Sequence, residues 1–258
     1  MEPPVSPVLF SLFLFFGMLT LLEAGRRFGL MRRSRESEGE RSNLGPVEGA
    51  VFALFGLLMA FTFSGAASRF NEKRMLIAEE ANTIETAYLR LHMVPESAPK
   101  IQDLFREYVD SRLKTYRLLP DMKAASLEMV NSKKLQEEIW TESVAATRVK
   151  SAHPAAAWVL LPALNSMIDI MTTRTSALQM HPPRIIFVLL FALGLICSLL
   201  AGYRMSAGKH RSWLHILGFT VITVIVVYVI LDAEYPRAGL IQLETADQVL
   251  VDVRATMK

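Results

Sequence analysis

Acidic and basic side chains cluster where one long apolar segment of the sequence ends. Asp232 and Glu234 follow that segment directly, and Pro236 and Arg237 come next. Charged residues at the end of an apolar segment occur in helices that are anchored at that point and in helices that move. The cluster therefore has two interpretations, a helix end fixed at its boundary and a salt-bridged structural or gating element.

The sequence carries none of the short motifs that support catalysis or metal binding. A glycine-rich phosphate loop, HExxH, CxxC and Gly-x-Ser-x-Gly are all absent, and no two of the five histidines have metal-binding spacing on one helix. Glu79 and Glu80 beside Asn82 are typical of a solvated helix face. The net charge of +3 is too small for a nucleic-acid-binding protein. We therefore predict no enzymatic activity, no cofactor, no metal site and no nucleic-acid partner.

Four apolar segments position these side chains, and each is long enough to cross a lipid bilayer. The chain is 52% hydrophobic and 21% charged, and the charges lie between the segments, apart from Glu23 near the end of the first. A helix of about 20 residues matches the hydrocarbon core of a bilayer. The predicted membrane helices cover residues 8–24, 49–67, 185–203 and 212–231.

Residues 71–183 separate the second and third segments and contain no glycine, and most of their prolines fall at breaks. Stretches without helix breakers predict long helices. One apolar line follows the second segment directly, so it should continue that helix out of the bilayer: Phe70, Ile77, Ala81, Ile84, Tyr88 and Leu91. A second line is predicted on the last helix of this region: Trp158, Leu161, Leu164, Ile168, Met171, Thr175 and Leu178.

The predicted fold is an all-α membrane protein with four transmembrane helices in a two-plus-two layout and a helical bundle between the second and third. Asp121 is the predicted N-cap of one bundle helix. The predicted domains are a first hairpin with a basic loop (1–70), the bundle (71–183), a second hairpin (184–231) and a tail with a short amphipathic helix (232–258).

Arginine and lysine concentrate in the two short loops between spans. The first loop carries Arg26, Arg27, Arg32, Arg33, Arg35 and Arg41, and the second carries Arg204, Lys209 and Arg211. The positive-inside rule therefore predicts that both loops are cytoplasmic, with both termini and the bundle on the opposite side.

Residues 61–74, FTFSGAASRFNEKR, resemble the end of the second membrane helix of bestrophins. In that pattern an aromatic residue is followed by an arginine, a second aromatic, a glutamate and a further arginine; here these are Phe61, Arg69, Phe70, Glu72 and Arg74. The chain as a whole resembles the bestrophin-like family of bacterial integral membrane proteins. The matching stretches are GLLMAFTFSGAASRF, EEANTIETAYLR, LPALNSMIDI and ILDAEYPRAGLIQLETADQVLVDVR.

This resemblance implies a pentameric anion channel lined by the second helix, in the inner membrane of a bacterium, with the bundle periplasmic if the loop charges decide orientation. Bestrophins constrict their pore with bulky apolar residues at steps of four, and counting back from Phe61 gives Leu57 and Ala53. An adjoining face carries a stripe of small residues, Gly49, Ala53, Gly56 and Ala60. Such a stripe predicts a close helix contact, either in an oligomer or within one chain.

Two functions remain open from the sequence, since a membrane enzyme has no site to support it. The first is a non-enzymatic homo-oligomer whose bundle senses or docks a partner. The alternative is a bestrophin-type anion channel. Only one of the three constriction positions is aromatic, and the arginines place the bundle on the side opposite to the corresponding bestrophin domain. The expected partners are the lipid bilayer, further copies of the chain and, for a channel, an anion.

Overall fold

The structure is a computed structural model that describes residues 6–32, 38–118, 121–206, 212–235, 240–241 and 244–257. Within these residues the chain is helical and contains no β-strand, as the sequence predicts. The helices are α1 (Pro7–Arg32), α2 (Glu38–Leu89), α3 (Ala98–Arg117), α4 (Met122–Ala146), α5 (Ala156–Gln179), α6 (Arg184–Met205), α7 (Trp213–Glu234) and α8 (Glu244–Thr256), with a 3-10 turn at Arg90–Met93.

Four helical stretches are long and apolar enough to cross a membrane, which confirms the number predicted from the sequence. They are Pro7–Arg32, Gly45–Met93, Ala156–Met205 and Trp213–Glu234. The third stretch contains both α5 and α6, which residues 180–183 separate. The apolar segment predicted at residues 185–203 lies in α6. The second stretch includes most of α2, which runs without a break from the apolar segment into the following apolar line.

The chain divides into two compact units. The spanning unit comprises Glu2–Phe70 with His181–Gly239, and the helical unit comprises Asn71–Met180 with Leu240–Lys258.

In the spanning unit, α1 and α6 pack backbone against backbone. A Cβ atom on Gly25 would overlap the carbonyl oxygen of Leu199, and one on Gly202 would overlap that of Leu22. A Cβ on Gly29 would lie 2.9 Å from the carbonyl oxygen of Tyr203. Glycine is therefore required at these three positions by the close approach of two helices.

In the helical unit, the apolar line predicted on α2 is buried: Ile77, Ala81, Ile84 and Leu91 are all nearly inaccessible to solvent. The line predicted on α5 is correct at Leu164 and Met171, which are buried, and wrong at Trp158. Trp158 is 85% exposed, whereas Leu160, Met167 and Ala177, which the prediction omitted, are buried. The buried face of α5 includes a charged residue, Arg174. A search for regularly spaced apolar residues cannot assign an arginine to a buried face.

Polar contacts fix two of the helices around this core. Asp121 caps α4 as predicted, since its carboxylate accepts hydrogen bonds from the backbone of Lys123 and Ala124 at 3.0 and 3.1 Å. Helix α8 buries Leu250 and Val253, and Met257 directly after it is also buried. Its Arg254 donates two hydrogen bonds to Asp110 on α3, at 2.9 and 3.0 Å, so the C-terminal helix is part of the helical unit.

Candidate functional site

Three segments of the spanning unit meet at the carboxylate of Glu234, the last residue of α7. Arg69 of α2 donates from Nε to both carboxylate oxygens, at 2.9 and 3.2 Å, and its Nη2 lies 2.8 Å from Oε2. His181, in the segment before α6, places Nδ1 3.1 Å from Oε1. The Glu234 side chain is fully buried. This boundary cluster joins the ends of α2 and α7 to the entry of α6.

The boundary cluster unites residues that the sequence placed in two separate motifs. Arg69 belongs to the motif after the second span and Glu234 to the charged cluster after the fourth. Asp232 is also buried, whereas Pro236 and Arg237 lie outside the described residues. Sequence reasoning missed His181, whose ring stacks on Tyr235 with centroids 4.6 Å apart. The Pro182-Pro183 pair that follows His181 could have indicated this position, because the two prolines mark where the chain enters the third span.

The remaining residues of the motif after the second span do not join the boundary cluster. Phe70 is half-buried, and Glu72 and Arg74 are exposed.

The three constriction candidates on α2 all point away from the rest of the spanning unit. Ala53 is exposed, and Leu57 and Phe61 expose 53% and 67% of their surface. The helix packs on its own chain through the opposite face, where Phe55 is buried. At about 100° per residue, Leu57 lies about 160° around the helix from Phe55.

The small-residue stripe of α2 makes no close packing contact with the described residues of its own chain. Neither Gly49 nor Gly56 has an atom within 4 Å of the position that a Cβ would take, and Ala53 and Ala60 are exposed. Within the described residues, close glycine-mediated contact occurs between α1 and α6, and the contact predicted for the stripe of α2 stays a prediction.

Two serines continue the exposed line of α2. Ser64 follows Leu57 by seven residues and Ser68 follows Phe61 by seven, so each lies on the same side of the helix as its apolar counterpart. Both are exposed. The exposed line therefore changes from apolar to hydroxylated side chains along the helix, a feature that the sequence motifs did not single out.

A second charged cluster lies inside the helical unit around Glu80. Arg112 donates from Nε to Oε1 at 2.6 Å, and Arg174 pairs with Oε2. The hydroxyl of Tyr116 donates to Oε2 at 2.9 Å. The ring of Tyr116 lies beneath both guanidinium groups, with its centroid 4.8 and 3.7 Å from their central carbons. Asp247 of α8 adds a second carboxylate, 3.3 Å from Arg174.

The interpretation of Glu79 and Glu80 as a solvated face is therefore wrong for Glu80, which is fully buried, whereas Glu79 is exposed. Glu80 lies beyond the apolar part of α2. Burial by itself raises the pKa of Glu80, but the charges and hydrogen bonds of Arg112 and Arg174 outweigh that effect and lower the pKa to about 2. Glu80 is thus ionised and fully paired, which suits a structural role. In the described parts of the chain, no group of three His, Cys, Asp or Glu residues is placed to hold a metal ion.

Comparison with known proteins identifies the family. The model of the bestrophin-like domain matches residues 12–247. Three crystal structures of variants of a bacterial bestrophin homologue from Klebsiella pneumoniae share the fold, with TM-scores of 0.61, 0.60 and 0.59 at 14%, 14% and 16% identity. The matches cover 95%, 94% and 95% of this chain and 99%, 99% and 100% of the others. No curated protein matches the sequence. The chain belongs to the bestrophin-like family.

Proposed function

We propose that this protein is a non-enzymatic, homo-oligomeric anion channel of the bestrophin type, with α2 of each copy facing the central axis. The observation that carries the proposal is the exposed face of α2, where Gly49 and Gly56 have only open space around them. Lipid chains do not require small residues, whereas a neighbouring helix does. A second copy of the chain is the occupant that explains the stripe.

The adjoining line of α2 has the properties of a pore lining. Leu57 and Phe61 provide bulky apolar side chains that would narrow a central pore, and such constrictions gate by excluding water. Ser64 and Ser68 would then line the next stretch with hydroxyl groups, which can donate hydrogen bonds to an anion. Exposed hydroxyls favour a water-filled lumen over lipid as the surroundings of this face.

The first measurement is the oligomeric state of the purified protein in detergent, by native mass spectrometry. We expect a closed homo-oligomer, and Ala53→Leu should weaken it because the added side chain fills the small-residue stripe. A strictly monomeric protein would contradict the proposal.

The second measurement is chloride flux through liposomes that contain the purified protein. Phe61→Ala should increase the flux severalfold because it widens the apolar constriction. Phe13→Ala is the matched control: Phe13 lies on α1 with 69% of its surface exposed, close to the value for Phe61, and the flux should be unchanged. The channel proposal fails if the wild type passes no chloride and Phe61→Ala changes nothing.

A second function, the docking of a partner by the helical unit, is favoured by an open groove between α2 and α5. The groove has a volume of about 270 Å³. Six of its eight lining residues have polar side chains: Glu79, Asn82, Thr83, Thr86, Arg90 and Ser166, beside the apolar Pro162 and Ala163. If a small polar ligand binds here, it should raise the melting temperature of the wild type but not of Asn82→Trp, which fills the groove.

We further propose that the protein lies in the bacterial inner membrane in the two-plus-two layout, with the helical unit as the bundle between the second and third spans. The short basic loops would be cytoplasmic, and both termini and the helical unit periplasmic. The arginines of the first loop support this orientation.

A further inference from the structure

A cavity in the spanning unit lies where α1 and α6 end and α7 begins. Its volume is about 300 Å³. The residues around it change in character along α1: Leu19 and Leu22 form an apolar floor, and Arg26 and Arg27 stand at the other end. Trp213, the first residue of α7, lines the same cavity. Among the described residues, none that lines the cavity belongs to α2, so this site is separate from the proposed pore.

The position of the cavity along the spans matches the boundary between acyl chains and headgroups. Leu19 lies inside the apolar segment of α1, and Arg26 lies two residues beyond its end. These residues are about 10 Å apart along the helix axis. Tryptophan is enriched at the level of lipid headgroups. The floor of the cavity therefore lies at the depth of the acyl chains, and its charged end at the depth of the phosphates.

The charged end of the cavity has an excess of one positive charge. Glu23 is engaged by Arg27, whose Nε donates to it at 2.9 Å. Arg26 is half-buried and makes no ion pair within the part of the chain that the structure describes. A guanidinium held at headgroup depth without an acidic side chain is suited to bind a phosphate through charge-assisted hydrogen bonds.

We propose that this cavity binds one anionic phospholipid, with its phosphate on Arg26 and an acyl chain along Leu19 and Leu22. A soluble anion would not cover the apolar floor of the cavity. A lipid without net charge would leave the positive charge of Arg26 unbalanced. The shape and charge of the cavity together select a lipid that carries a net negative headgroup.

The test is native mass spectrometry of the full-length protein after incubation with equal amounts of phosphatidylglycerol and phosphatidylcholine. The wild type should retain phosphatidylglycerol preferentially. Arg26→Gln should reduce this preference about tenfold, the effect of one lost charge-assisted hydrogen bond, and Arg26→Lys should keep most of it. Leu19→Trp should lower lipid retention while the arginines stay in place, because it fills the floor.

Arg32→Gln is the matched control, since it removes the same charge from the same end of α1 outside the cavity. Arg32 instead lies over the ring of Phe28, 5.0 Å from its centroid. An equal loss of preference in Arg26→Gln and Arg32→Gln would overturn the proposal in favour of a general charge effect. Displacement of the lipid by millimolar inorganic phosphate would overturn it in favour of a soluble anion site, and a wild type without preference would overturn it directly.

Discussion

Glu80 binds two arginines inside the helical unit, and its removal should affect stability in a pH-dependent way. Its pKa is lowered from an ordinary 4.5 to about 2. The stability that it contributes is therefore complete above pH 4.5 and is lost as the pH falls from 4.5 towards 2. We expect Glu80→Gln to lower the melting temperature at pH 7, because the buried Arg112 loses its paired carboxylate and Arg174 keeps only the longer contact with Asp247, at a cost of about 3–5 kcal/mol. Between pH 4.5 and 2.5 the variant should lose less stability than the wild type.

Glu79→Gln supplies the control for this prediction. Glu79 is adjacent in sequence but exposed. The melting temperature of the Glu79→Gln variant should therefore equal that of the wild type at every pH. Equal melting curves for Glu79→Gln and Glu80→Gln would mean that the paired carboxylate does not stabilise the unit.

Helices α1 and α6 should be sensitive to single methyl groups. Gly202→Ala places a Cβ against the backbone of Leu22, and forced overpacking costs about 1–3 kcal/mol. We expect a melting temperature several degrees below that of the wild type in detergent. Gly218→Ala, on α7, meets no atom within 4 Å and should melt like the wild type. Equal melting temperatures for the two variants would mean that α1 and α6 separate more easily than their backbone contact indicates.

The apolar elements could be predicted from the sequence because their signal is local. An apolar run defines each span, uncharged except for Glu23 near the end of the first, and the line from Ile77 to Ile84 defines the buried face of α2. The same reasoning was only partly right on α5, where Arg174 occupies a core position. A buried arginine becomes tolerable only when a carboxylate from another helix, here Glu80, is beside it, and no local pattern in α5 contains that information.

Arg69 and Glu234 of the boundary cluster were singled out in the sequence, but their pairing was not. Arg69 and Glu234 are 165 residues apart, and periodicity along one helix cannot relate them. His181 had no motif of its own. The small-residue stripe of α2 was visible in the sequence. The structure adds that the described residues leave open space beside Gly49 and Gly56 of this stripe.

The orientation of the whole molecule follows from loop charges and can be tested by cysteine labelling in spheroplasts. With Cys197 replaced by serine, Ser97→Cys should react with a membrane-impermeant thiol reagent and Ser37→Cys should not. The six arginines of the first loop predict that this loop stays in the cytoplasm. Labelling at position 37 with protection at position 97 would reverse the orientation.

The boundary cluster also constrains how the protein is made. Arg69 emerges at the end of the second span, but its counter-charge is the final residue of the fourth, 165 residues later. During synthesis Arg69 must therefore be held by water, by lipid phosphates or by the insertion machinery until α7 has entered the membrane. The ion pair can therefore close only after α7 has been synthesised, so it forms later than any contact among the first three spans.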